Sequence, residues 1–65
     1  MQIKVNGEAR GVAAVNVAEL VAQLGLNPRQ VAIEKNRVIV PRTQYADEPI
    51  RDGDEVEIVQ FIGGG

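Results

Sequence analysis

The residues of this chain with the clearest chemical potential are Phe61-Ile62-Gly63-Gly64-Gly65, where an apolar, strand-like run gives way to three glycines and a carboxylate. Glycine has no Cβ, so such a tail can adopt φ values closed to other residues and can enter a narrow partner channel without side-chain clashes. The Gly65 carboxylate is ionised at neutral pH and has no leaving group, so reaction there requires activation by another protein. On this reading the chain is a substrate or carrier with no catalytic residue of its own. Gly65 is the reacting group, and Gly63 and Gly64 give it reach. The competing reading is an inert, frayed end, because domain termini are commonly disordered.

A second cluster, Asp47, Glu48, Asp52, Asp54, Glu55 and Glu57, has the residue types of a cation site. Its spacing does not follow the calcium loop, which needs a fixed twelve-residue order ending in a bidentate Glu. A solvated acidic face is expected, with no metal bound. The same carboxylates lack an apolar pocket that would drive two of their pKa values apart, so an acid and base pair is not expected either.

Composition removes most other chemistries. The chain has no cysteine and no histidine, which excludes a thiol nucleophile, a disulfide framework, a thiolate zinc site and the commonest general base. A formal net charge of −2 with one Tyr and one Phe gives neither the basic footprint nor the stacking residues of a nucleic-acid binder. The chain opens without a basic segment and a long apolar run, and no apolar stretch approaches membrane-spanning length, so a cytoplasmic, membrane-free protein is expected. With 65 residues, 45% hydrophobic and 25% charged, it is expected to fold as one small domain with one core.

Local signals then place the elements that must present the tail. Gln2-Ile3-Lys4-Val5 alternates, with Ile3 and Val5 on one face, and Asn6-Gly7 suits the positive φ angles of a tight hairpin. The chain therefore doubles back as a second strand over residues 8–12. Asn16 is a helix N-cap, Glu19 is placed to reach back to it, and Val15 and Leu20 stand at the positions of a hydrophobic staple. Val17, Leu20, Val21 and Leu24 form one apolar stripe, which predicts a helix over residues 17–24, closed by Gly25 and not resumed past Pro28. Residues 31–35 and 38–40 are β-branched runs joined by Asn36-Arg37, which predicts a second hairpin ending at Pro41. Residues 42–50 form an irregular connection with a helical turn near 42–45, in which the Tyr45 ring packs on the core and its hydroxyl meets solvent. Asp52-Gly53-Asp54 turns the chain into a last strand over residues 55–61.

In that last strand, period two puts Val56, Ile58 and Gln60 on one face and Glu55, Glu57, Val59 and Phe61 on the other. If the glutamates face water, Val59 and Phe61 share the exposed side just before Ile62 and the glycines, where large apolar groups are candidates for partner docking. A twist or bulge that packs Phe61 at the sheet edge is the alternative. The assembled order is strand, strand, helix, strand, strand, short helical turn, strand: an α+β architecture with one helix on one face of a mixed sheet.

That order, the chain length and the terminal Gly64-Gly65 resemble the β-grasp (ubiquitin-like) sulfur carriers. Residues 32–42, which include Val40-Pro41-Arg42, and residues 52–65, which include the Asp52-Gly53-Asp54 turn, are similar to the ThiS family of thiamin biosynthesis. The Asn36-Arg37 turn departs from the Asn-Gly pair common at such positions. The resemblance implies a β-grasp domain over residues 1–62 and a flexible tail over 63–65. It implies that an E1-like, ThiF-type adenylating enzyme uses ATP and Mg²⁺ to convert the Gly65 carboxylate to an acyl-adenylate. A sulfur donor fed by a cysteine desulfurase then displaces AMP and leaves a thiocarboxylate, and a ThiG-type thiazole synthase accepts the sulfur. The carrier itself binds no cofactor, is a monomer when free, and docks through Val59, Phe61 and Ile62. The alternatives are another β-grasp carrier or modifier, such as one serving molybdopterin synthesis or joining lysines, and an interaction module whose tail is inert.

Overall fold

A computed structural model describes residues 1–62. Strand β1 (Gln2–Val5) turns through Asn6 and Gly7, both at positive φ (51° and 83°), into β2 (Glu8–Gly11). This is the backbone pattern that matches the right-handed twist of paired strands. The second strand ends one residue before the predicted boundary. Val12 instead turns inward to the core, and its N–H donates to the Met1 carbonyl (2.9 Å).

Helix α1 (Val17–Gln23) follows, with Leu24 as its C-cap. Its first three N–H groups all find acceptors. Val17 and Ala18 donate to the Glu48 and Tyr45 carbonyls (both 2.9 Å), and Glu19 donates to the Asn16 side chain (2.8 Å). The other half of the predicted capping box is displaced by one residue, since the Glu19 carboxylate accepts from Val15 N–H (3.2 Å) and not from Asn16. The staple between Val15 and Leu20 does not form. The chain bends at Val15 and is extended at Asn16 before the helix begins, which leaves Val15 exposed between the buried Ala14 and Val17. At the other end, Gly25 N–H donates to Ala22 and Leu26 N–H to Val21 (both 3.0 Å), with Gly25 at φ 72°. This is the double closure that a left-handed residue after a helix permits.

Pro28 does more than stop the helix: it opens a 3-10 turn (Pro28–Gln30) capped by the Asn27 side chain. Strands β3 (Val31–Lys35) and β4 (Val38–Val40) form the second hairpin, whose turn residues Asn36 and Arg37 both have positive φ (51° and 70°). A second 3-10 turn (Arg42–Gln44) leads to Tyr45, and β5 (Glu55–Gln60) completes the fold one residue short of its predicted end. Tyr45 corrects the expectation from sequence: it is buried, and its hydroxyl donates to the Val31 carbonyl (3.4 Å) where exposure to solvent was expected.

The sheet order is β2-β1-β5-β3-β4, with β5 parallel to β1 and antiparallel to β3. The chain's last strand is therefore the middle one. Ile3, Val5, Val31, Ile33, Val40 and Val56 point to one face and meet Val17, Leu20 and Val21 of α1 in a single core. Burying a side chain of this size contributes roughly 1.5–3 kcal/mol. This is the mixed sheet with one helix expected of a β-grasp domain.

Candidate functional site

The position of β5 is fixed by side chains at both of its neighbouring turns. Asn6 accepts from Ile58 N–H (2.7 Å) and donates to the Ile58 carbonyl (3.2 Å), so the residue that makes the first hairpin turn also grips β5. Asn36, which opens the second turn, accepts from Glu55 N–H and donates to the Asp54 carboxylate (both 3.0 Å). From sequence, both asparagines had only their tolerance of positive φ to recommend them.

Of the acidic cluster, Asp47, Glu55 and Glu57 are exposed as expected of a solvated face, while Glu48, Asp52 and Asp54 are engaged in the fold. Asp52 accepts from Gln2 N–H (2.7 Å), and Asp54 accepts from Arg51 N–H (2.8 Å) as well as from Asn36. The Lys35 ammonium lies 2.7 Å from Glu48 and 4.0 Å from Asp54, and it donates to the Pro49 carbonyl (2.8 Å). Partial burial pushes the Asp54 carboxyl upward, but the hydrogen bonds from Asn36 and Arg51 with the Lys35 and Arg51 charges together outweigh it, and the group sits below the usual aspartate range. Among the described residues, no three acidic side chains converge as metal ligands.

At the far end of β5 the alternation holds. Val56 is buried and Ile58 packs against the core, while Val59 (59% exposed) and Phe61 (52%) lie on the face away from α1. Phe61 is thus not tucked into the core, and Ile62 is 96% exposed. The ladder continues one rung beyond the strand, as Phe61 N–H donates to the Gln30 carbonyl (2.7 Å). Gly63, Gly64 and Gly65, the predicted threading and reacting residues, lie outside the described residues.

Two further members of this apolar face were not singled out from sequence. Ala32 stands opposite Val59 in the β3–β5 register, and Ile39 (73% exposed) stands opposite Glu34, which faces Glu57. A shallow depression of about 140 Å³ joins Ala32, Ile39 and Val59 to Glu34 and Glu57. The signal for Ile39 was present in the alternation of 38–40: with Val40 in the core, Ile39 must point outward. The arrangement can bind an apolar partner surface and present the residues beyond Ile62 to it. A larger groove of about 340 Å³ lies at the other side of the sheet around Leu24, Leu26 and Ile58, away from Val59 and Phe61. No helix among the described residues is long and apolar enough to cross a membrane.

A family model described as the ThiS family matches residues 3–65. The sulfur carrier protein ThiS of Escherichia coli is 41% identical over 66 residues, covering 100% of both chains. The thiazole synthase of Paramagnetospirillum magneticum is 47% identical over 66 residues, which are 100% of this chain and 20% of that protein. The thiazole synthase of Magnetococcus marinus is 39% identical over the same share, so this chain spans one fifth of the length of these two relatives. Among solved structures, the crystal structure of the thiamine biosynthesis protein ThiS from Geobacter metallireducens superposes with a TM-score of 0.85 at 33% identity and covers 100% of both chains.

Proposed function

This chain belongs to the ThiS family, and we propose that it is a sulfur carrier serving thiazole formation in thiamin biosynthesis, with Gly65 as the sulfur-bearing residue. The observation that carries this reading is the end-to-end match to the Escherichia coli sulfur carrier, 41% identical over 100% of both chains. The match to two thiazole synthases supports such an enzyme as the acceptor.

The chemistry is dictated by what a carboxylate lacks. An E1-like enzyme supplies ATP and Mg²⁺, the Gly65 carboxylate attacks the α-phosphate, pyrophosphate leaves, and the acyl-adenylate now carries a good leaving group. The terminal sulfur of a persulfide fed by a cysteine desulfurase displaces AMP at the same carbonyl carbon to give an acyl disulfide. A second thiol then cleaves the S–S bond, forming a disulfide with the donor and releasing the thiocarboxylate. The carrier's own contribution is docking and presentation. Val59, Phe61 and Ile62, with Ala32 and Ile39 beside them, offer an apolar surface continuous with the tail exit. Gly63 and Gly64 add no side chains to obstruct entry to the enzyme. Glu34 and Glu57 on the same face favour a partner surface with a basic rim.

Intact mass measurement tests the reading directly. Incubation with the adenylating enzyme of the same organism, ATP, Mg²⁺, a desulfurase and cysteine is expected to replace one oxygen by sulfur at Gly65, and a chain lacking Gly65 is expected to show no change. Absence of the mass gain, with the enzyme competent on another carrier, overturns the proposal. Conjugates to lysines that survive reducing gels would replace it with a protein modifier.

A further inference from the structure

The carrier chemistry makes no use of Arg42, although Val40-Pro41-Arg42 is among the most distinctive steps in the sequence. Its side chain reaches across to the 3-10 turn Pro28–Gln30, where Arg42 Nε donates to the Pro28 carbonyl (3.1 Å) and Arg42 Nη2 to the Arg29 carbonyl (3.2 Å). The next carbonyl, of Gln30, accepts from Phe61 N–H (2.7 Å), the last backbone bond of β5 among the described residues. The carbonyl after that, of Val31, accepts from the Tyr45 hydroxyl. Four successive carbonyls are thus occupied, three by side chains of the 42–45 segment and one by the root of the tail.

The geometry suits arginine in particular. A rigid, planar guanidinium can donate to two neighbouring carbonyls at once, whereas an ammonium is a compact point donor on a flexible stem. Arg42 is itself held at its base by Pro41, which fixes the entry to the second 3-10 turn, and by the buried Tyr45, whose N–H donates to the Arg42 carbonyl (3.2 Å).

We propose that Arg42 is a positioning residue for the C-terminal tail: by holding the Pro28–Gln30 turn it fixes the Gln30 carbonyl, and with it the point at which the chain leaves the sheet after Phe61. The effect on adenylation by the partner enzyme rests on the carrier reading, and the role in holding the exit does not.

The test compares Arg42→Met, which keeps much of the aliphatic stem without donors, with Arg42→Lys and the unchanged protein. Amide hydrogen exchange at Phe61 is expected to accelerate by about three- to tenfold in Arg42→Met, the scale of one hydrogen bond, with Val56 and Ile33 amides unchanged. Arg42→Lys is expected to fall between. In adenylate formation by the activating enzyme, kcat is expected to fall by a similar factor with KM unchanged, since the docking face is intact. Unchanged exchange at Phe61 overturns the proposal. So does faster exchange at Phe61 with unchanged kcat, and so does a parallel change at Val56, which would make Arg42 a stability residue only. Failure of the unchanged protein to be adenylated overturns the carrier reading instead, and the exchange rates alone then decide whether Arg42 holds the exit.

Discussion

The two ends of β5 are built in opposite ways. At its start, Asp52, Asp54, Lys35, Glu48, Asn36 and the Arg51 N–H interlock, and the strand enters the sheet between two partners. At its finish, no side chain grips the strand beyond Ile58 among the described residues: backbone pairing with β3 runs out at Phe61 and Gln30, and Val59, Phe61 and Ile62 are exposed. The proposed carrier role calls for both. The root must resist the pull of a partner that draws in the tail, and the tip must surrender its contacts readily to that partner.

Identical substitutions three residues apart should separate these roles most sharply. Val56→Ala removes buried methyl groups from the core and should lower the unfolding free energy by about 2 kcal/mol in urea titrations. Val59→Ala and Phe61→Ala should stay within about 0.5 kcal/mol of the parent. They should instead weaken binding to the activating enzyme by roughly tenfold or more in calorimetric titration. Loss of stability in all three variants would erase the contrast.

A smaller effect separates the ends by pH. Since the folded Asp54 carboxyl is held below its unfolded value, its contribution is fully present above the unfolded pKa and disappears as pH falls through the folded one. The urea midpoint should therefore decline in strong acid, and Asp54→Asn should flatten that decline while lowering stability at neutral pH. An unaltered acid profile in the variant would show that Asp54 does not anchor the root.

The smallest expected change concerns the turn beside the root. Arg37 holds φ at 70°, a conformation costly for a residue with Cβ. Arg37→Gly should raise stability by about 0.5–1 kcal/mol, the strain relieved less the added chain entropy of glycine. A decrease would mean that the Arg37 side chain supports the root, in addition to the neighbouring Asn36.

Local features of the chain were legible in its residue order alone. The hairpin turn at Asn6-Gly7, the Asn16 cap, the close at Gly25 and the outward placement of Val59 and Phe61 each depend on a few adjacent residues. What escaped was set by distant ones. The staple at Val15 failed because the backbone of Val15 and Asn16 is tied to Ile50 and Pro49, far along the chain, and the Val15 side chain is left exposed. The Tyr45 hydroxyl found the Val31 carbonyl, which points away from β5 at a rung where that pair does not bond. Ala32 and Ile39 joined the docking face only once β5 was known to lie beside β3. The second employment of Asn6 and Asn36, and the reach of Arg42, required the same knowledge.

The placement of β5 between β1 and β3 also bears on the birth of the molecule. During synthesis the two hairpins emerge first, and neither adjoins the other in the finished sheet except through a strand that has yet to be made. The decisive contacts span most of the chain, as with Asn6 and Ile58, so closure is a late, long-range event. A chain stopped before β5 holds both hairpins without the strand that joins them. Completion of the sheet and assembly of the face formed by Ala32, Ile39, Val59 and Phe61 are thereby one event, and a partner that reads this face meets only the finished fold.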